Sequence, residues 1–250
     1  MKISIAQMDL VWEDPKANQE NLSRLVNENE VGDLLILPEL WACGFTMNRH
    51  IYDACNDVCK FLSDLSREEG VWIIGGLPEY NEQKKVQENR LVLFNREGDR
   101  VGHYAKRKLF TFAGEHKAYG YGDRAVIWDI EGLKVVPLIC YELRFPELCR
   151  EVAKSADLFI FAANWPEMRQ SHWDKLLPAR AIENQAYVAG VNRIGSDGND
   201  WKYSGHSVLL SPVGETIIDC SDDEGLLVGH IDLAEIQNVR TKLPFLDDAD

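Results

Sequence analysis

Ile3 and Ile5 alternate with Lys2 and Ser4, the two-residue period of a strand, and the run continues toward Leu10. Asp14-Pro15 then opens a helix. Asp14 suits the cap, proline suits the first helical position, and Leu22, Leu25 and Val26 form an apolar stripe at helical spacing. Gly32 ends that segment. Asp33-Leu-Leu-Ile-Leu37 is a short unbroken apolar run of the kind found in strands covered on both faces, and it delivers Pro38-Glu39 at its carboxyl end. Ala54, Val58, Phe61, Leu62 and Leu65 mark a second helix, stopped by Gly70, before a strand at Val71-Trp-Ile-Ile74.

This alternation implies parallel strands with helices packed on the sheet. The pattern then changes. Arg90–Phe94 and Arg100–Tyr104 flank Asn95-Arg-Glu-Gly98-Asp99, a hairpin signature, so the sheet is mixed. Residues 107–124 lack clear periodicity, and so long a loop inside a compact domain is usually functional. Ala125–Asp129 and Lys134–Ile139 read as strands joined at Glu131-Gly132, the second leading to Cys140. Pro146 starts a helix through Leu148, Val152 and Ala153, and Asp157–Ala162 is a strand ending near Asn164. Trp173, Leu176, Leu177 and Ile182 sit on one more helix, before a strand at Tyr187–Val191. Gly195–Asn199 is turn chemistry, and Ser207–Leu210, Glu215–Ile218 and Gly225–Ile231 read as a meander. About ten or eleven strands and at least four helices make an α/β protein, with two mixed sheets or one large one. The acidic, proline-interrupted residues 243–250 have too few apolar anchors for a helix and read as a C-terminal arm.

Composition narrows the classes of partner. The chain is 45% hydrophobic and 27% charged with no linker-like stretch, so residues 1–250 are expected to form a single domain. Forty-one acidic against 27 basic residues give a formal charge of −14, which repels phosphate backbones and argues against nucleic acid. No apolar run approaches the ~20 residues that span a bilayer, so no membrane association is expected. Met1–Gln7 reads as a strand and not as an export signal, which places the protein in the cytoplasm. A reducing compartment keeps Cys43, Cys55, Cys59, Cys140, Cys149 and Cys220 as free thiols. Cys55 and Cys59 lie four apart on a helix and share a face, but no other Cys/His pair has metal-ligand spacing, so no metal is expected.

The candidate chemistry centres on Cys140, where an apolar strand passes abruptly into a helix start. A rigid mount, helix-start N–H groups and cationic neighbours are what a nucleophilic thiol of lowered pKa needs; an inert buried cysteine is the bland alternative. A nucleophile also requires a base and an oxyanion stabiliser. Glu39 emerges at a strand end, on the edge where Cys140 emerges from a parallel neighbour, and Lys106 stands where the hairpin leaves the sheet. A structural Glu–Lys ion pair is the competing reading for those two.

Pro38-Glu39, Tyr104-Ala-Lys106-Arg-Lys-Leu-Phe110, Gly114-Glu115-His116 and Cys140-Tyr-Glu-Leu-Arg-Phe-Pro-Glu147 stand in an order and spacing that resembles the nitrilase-type carbon–nitrogen hydrolases. Ala163-Asn-Trp-Pro166, Ala179–Val188 and Asn192–Gly198 resemble the bacterial omega-amidase branch. The resemblance runs from residue 1 to the acidic tail. It implies a four-layer α-β-β-α sandwich with two mixed sheets, a homodimer, and a small-molecule amide hydrolysed without cofactor or metal. It assigns Glu39 as general base, Lys106 as catalytic lysine, Cys140 as nucleophile and Glu115 as the glutamate that helps position substrate and lysine. The Tyr141 backbone N–H joins Lys106 in stabilising the oxyanion. One departure is Lys108, where the family usually has histidine. An omega-amidase substrate carries a carboxylate beyond the amide. Arg144 either meets that carboxylate or pairs with Glu142 or Glu183 as scaffold, and Asn164 either borders the pocket or caps the following turn. His172 and His206 read as solvated or capping, and Trp41, Trp165, Trp173 and Phe145 as pocket wall or core. An amidase for another small amide such as deaminated glutathione, or an inactive scaffold of the same fold, are the competing functions.

Overall fold

The computed structural model describes residues 1–55 and 57–248. Ala249 and Asp250, the end of the expected arm, and Asn56, within the expected second helix, lie outside the described residues. The chain runs β1 (Lys2–Gln7), α1 (Pro15–Glu28), β2 (Leu34–Ile36), α2 (Ile51–Ala54), α3 (Val58–Glu69), β3 (Trp72–Asn81), β4 (Val86–Phe94) and β5 (Arg100–Ala105). It continues with β6 (Trp128–Ile130), β7 (Leu133–Ile139), α4 (Pro146–Arg150), β8 (Leu158–Ala163), α5 (Gln170–Asn184) and β9 (Tyr187–Asn192). The last elements are β10 (Ile194–Ser196), β11 (Lys202–Ser204), β12 (Val208–Leu210), β13 (Thr216–Asp219), β14 (Gly225–His230) and α6 (Leu233–Lys242).

Two six-stranded mixed sheets face each other, in the orders β14-β1-β2-β3-β4-β5 and β13-β12-β9-β8-β7-β6. Each has three central parallel strands, β1-β2-β3 and β7-β8-β9. Strand periodicity explains the layering. Ile3, Ile5, Leu34, Ile36, Leu91 and Leu93 point into the core between the sheets, which Val135, Ile139 and Ile160 fill from the second sheet. The alternate residues Leu35, Ile73 and Val92 point outward and are covered by Leu22 and Leu25 of α1 and Leu62 and Leu65 of α3. Trp173, Leu177 and Ala181 of α5 cover the second sheet. The result is the four-layer α-β-β-α sandwich.

Several elements depart from the sequence reading. The expected meander does not form: β12 and β13 pair in the second sheet, whereas β14 pairs antiparallel to β1 in the first. Buried Gln7 ties the crossing down, donating from Nε2 to the carbonyls of Ser221 at 3.0 Å and Asp223 at 2.8 Å and accepting from Ser207 N–H at 2.9 Å. The hairpin strands β3 and β4 are longer than their apolar runs, because nine residue pairs from Ile73↔Phe94 to Asn81↔Val86 stay in register through polar positions. Two short strands, β10 and β11, flank the expected turn at Gly195–Asn199. The helical stripe expected from Ala54 to Leu65 is divided between α2 and α3, so Cys55 closes one helix, Cys59 sits in the next, and they do not share a helix face. At the C-terminal end α6 has a single buried residue, Ile236, and a turn at Phe245–Asp248 buries Leu246. No helix among the described residues is long and apolar enough to cross a membrane.

Candidate active site

Leu37 and Pro38 carry the chain off the end of β2, and Leu40, with φ of 45°, turns it so that Glu39 is fully enclosed. The turn lies against Gly76 of β3, where a Cβ would sit 2.5 Å from the Leu40 nitrogen and 2.8 Å from the Glu39 Cα, so glycine alone fits. Lys106 leaves β5 at the same end of this sheet. Its Nζ donates to Glu39 Oε1 at 2.7 Å and to Glu115 Oε1 at 2.9 Å. Asn89 of β4 braces both acids, its Nδ2 donating to Glu39 Oε1 at 2.8 Å and Glu115 Oε1 at 3.0 Å. All four side chains are buried. Burial opposes the Lys106 charge, but Glu115, Glu39 and Cys140 outweigh it and raise its pKa, so it remains an ammonium. Asn89 was missed in the sequence because its only signal is a polar residue entering an apolar strand.

Cys140 follows β7 as the first residue of a single 3₁₀ turn, Cys140–Arg144. Its φ of 45° is left-handed, a conformation that costs a non-glycine residue about 1–3 kcal/mol. The thiol is half-buried and lies 3.7 Å from the carbonyl of Asn164, just past the end of β8. Burial and then the Glu39 carboxylate push its pKa well above the ordinary thiol value, against the pull of Lys106. That overturns the expectation of a lowered thiol pKa: the turn is too short to carry a helix dipole, and the Lys106 ammonium is already shared by two carboxylates. A second correction concerns the edge. β2 and β7 belong to different sheets, so Glu39 and Cys140 meet across the sandwich and not along one sheet. Asn164 joins the two halves. Its backbone N–H donates to Glu39 Oε2 at 3.0 Å and its Nδ2 to the Glu39 carbonyl at 2.6 Å.

Cys140, Tyr141, Arg144, Asn164 and Trp165 share a pocket whose other walls include Phe110 and Tyr203. Tyr141 packs between Phe110 and Phe145, with ring centroids 4.9 and 5.1 Å away. Arg144 stacks on Trp165 at 4.6 Å, and its Nη1 is 3.1 Å from His172 Nδ1. It pairs with neither expected acid: Glu142 is occupied by Tyr104 and backbone N–H groups, and Glu183 binds Arg180 at 2.9 Å. Arg169 also lines the pocket, stacked between Phe110 and Trp201 at 5.3 and 5.2 Å. Burial and neighbouring Arg144 lower its pKa. The sequence reading stopped at Pro166, three residues short of Arg169. A cavity of about 510 Å³ adjoins, sharing Phe45 and Trp201 with the pocket.

The remaining candidates fall outside the chemistry. Trp41 and Trp173 are core residues, and His206 approaches Asp174 at 3.9 Å. Lys108 lies over the Phe145 ring at 5.1 Å and 3.8 Å from Glu147. The six cysteines are free. Among the described residues, no group of three or more His, Cys, Asp or Glu is placed to hold a metal ion.

Residues 2–241 match the model of the carbon–nitrogen hydrolase family. The chain is 38% identical, over its whole length and 97% of the relative's, to omega-amidase YafV of Escherichia coli (strain K12). It is 33% identical to the 2-oxoglutaramate amidase of Bacillus subtilis (strain 168), across 98% of this chain and 96% of that one. In three dimensions it is similar to a CN-hydrolase superfamily protein of Xanthomonas campestris, with a TM-score of 0.92 at 31% identity over 100% of this chain and 97% of the other. A two-sheet sandwich that brings a thiol, a lysine and two glutamates together across its seam, matched end to end by these proteins, places the chain in the carbon–nitrogen hydrolase family.

Proposed function

We propose that the protein is an omega-amidase that hydrolyses the terminal amide of a 2-oxo dicarboxylic acid monoamide, such as 2-oxoglutaramate, to ammonia and the dicarboxylic acid. The observation that carries this reading is the enclosed Lys106 ammonium, held by Glu39 and Glu115 beside a thiol that rests protonated. A protonated thiol needs a base. Glu39 is linked to it through Asn164, whose N–H binds Glu39 and whose carbonyl faces Cys140 Sγ. Glu39 takes the thiol proton as Sγ attacks the amide carbonyl. Lys106 and the Tyr141 N–H bind the resulting oxyanion, each well-placed donor contributing roughly 3–4 kcal/mol. Glu39 then delivers the proton to departing ammonia, leaving a thioester, and deprotonates the water that releases the acid and restores Cys140. Glu115 holds the ammonium in place throughout.

The substrate class follows from the far side of the pocket. Arg144 makes no salt bridge to a carboxylate among the described residues, and Arg169 stands in the same pocket, so the lining suits a substrate with an acid group beyond the amide. The names borne by the Escherichia coli and Bacillus subtilis relatives agree with that class. The reading includes a cytoplasmic location, which suits six free thiols, and a homodimer. The test is turnover of 2-oxoglutaramate, with deaminated glutathione and a simple nitrile as comparisons. Ammonia release from 2-oxoglutaramate, abolished in a folded Cys140→Ala variant, is expected. Preference for deaminated glutathione would reassign the substrate, and turnover of no amide would make the protein an inactive scaffold.

A further inference from the structure

Glu142 has no part in the steps above, yet it is built into the site as tightly as Glu39. It stands two residues after Cys140 and is fully buried. Its Oε1 accepts from the Tyr104 hydroxyl at 2.7 Å, the Arg107 N–H at 2.7 Å and the Lys108 N–H at 3.2 Å. Its Oε2 accepts from the Ile139 N–H at 2.7 Å. These donors belong to two chain segments from different sheets. Tyr104, Arg107 and Lys108 bracket Lys106 where the chain leaves β5 in the first sheet, and Ile139 immediately precedes Cys140 at the end of β7 in the second.

We propose that Glu142 is a positioning residue, a single carboxylate that fixes the Lys106 segment against the Cys140 turn and so sets where the ammonium stands relative to the thiol. The inference rests on the reading of Cys140 as nucleophile and Lys106 as its oxyanion partner. The chemistry of the clamp requires an ionised acid. Four donors converge on two oxygens, and a carboxylate is the acidic side chain's acceptor-only form. Such charge-assisted bonds are roughly twice as strong as neutral ones. Burial pushes the Glu142 carboxyl up to about 7 against the opposing pull of Tyr104, Ile139, Arg107 and Lys106, so the fold keeps this acid enclosed at an electrostatic cost. A glutamine of the same shape cannot replace it. Turned one way, its NH₂ opposes the Ile139 N–H; turned the other, it opposes the N–H groups of Arg107 and Lys108. Either arrangement releases one segment from the other.

The test compares the full-length protein with Glu142→Gln and, as a milder lesion, Tyr104→Phe, which removes one of the four donors. Steady-state kinetics with 2-oxoglutaramate are read together with the rate at which iodoacetamide alkylates Cys140, followed on the Cys140 peptide by mass spectrometry. For Glu142→Gln the expected result is a fall in kcat of about 30-fold or more with KM within about threefold, because a displacement near 1 Å costs about 100-fold in rate while leaving the binding surface intact. Alkylation should slow about fivefold as Lys106 loses its hold on the thiolate, and Tyr104→Phe should lie between the wild type and Glu142→Gln in both readouts. A folded Glu142→Gln protein with a lowered melting temperature but both rates within about twofold of wild type would make Glu142 a merely structural residue and overturn the proposal. If Glu142→Gln does not fold, Tyr104→Phe decides by the same criterion. Alkylation does not depend on the substrate chosen. A wild type inert toward 2-oxoglutaramate whose Cys140 still loses reactivity in Glu142→Gln would therefore refute the assigned substrate and leave the clamp standing.

Discussion

In the proposed mechanism, moving the Cys140 proton to Glu39 leaves the total charge of the enclosure the same before and after. That matters in a buried site, where a net change of charge is costly and a movement of charge between fixed partners is not. On the same proposal Lys106 serves the oxyanion and does not itself have to titrate. At the opposite wall Arg144 is a cation stacked on Trp165. If it receives the distal carboxylate, Arg144→Gln should raise KM for 2-oxoglutaramate about tenfold with little change in kcat, since that contact is equally present in ground and transition states. A neutral amide of similar length should show no such loss. Steady-state kinetics on both substrates check this, and equal losses for the two would assign Arg144 to the shape of the pocket.

Strands are the elements that aim this chemistry, and β3 does so without contributing a reacting group. Gly76 lets the Glu39 turn lie directly on the strand. A methyl group in Gly76→Ala would meet backbone atoms, so the turn must move. A drop in kcat of at least about tenfold is expected, with the β3–β4 ladder and overall secondary structure retained, by kinetics and circular dichroism. The strands that carry Glu39, Cys140 and Asn164 were legible because continuous apolar runs ending in a polar residue mark buried parallel strands and their functional ends. Their assignment to two sheets was not legible, since a run such as Leu34–Ile36 looks the same whichever sheet receives it. Local pattern also misplaced β14, whose crossing depends on Gln7 some 214 residues away in the chain. It missed α6, which buries Ile236 alone and so has no stripe. Arg169 and Asn89 escaped because their significance lies in neighbours distant in sequence.

At the scale of the whole molecule, the site lies on the seam between two sheets, with Glu39 and Lys106 on one side and Cys140 and Asn164 on the other. It therefore exists only when the sheets are docked, and it should be lost with the fold as one event. α5 covers the second sheet yet leaves Ile182 54% exposed, an apolar position available to a second copy of the chain. Light scattering behind size exclusion is expected to give twice the 28.5 kDa chain mass, and the monomer mass would refute the homodimer. The pairing of β1 with β14 has a further consequence. β14 pairs with β1, and the amino group of Met1 donates to the Ile231 carbonyl at 3.0 Å across 230 positions of sequence. During synthesis β1 emerges long before its partner β14, so the ribosome exposes a bare strand edge in the interval. The newborn chain must keep that edge from neighbouring nascent chains until residues 225–230 arrive, and a message truncated before them would yield a protein with every proposed catalytic residue and an open, adhesive first sheet.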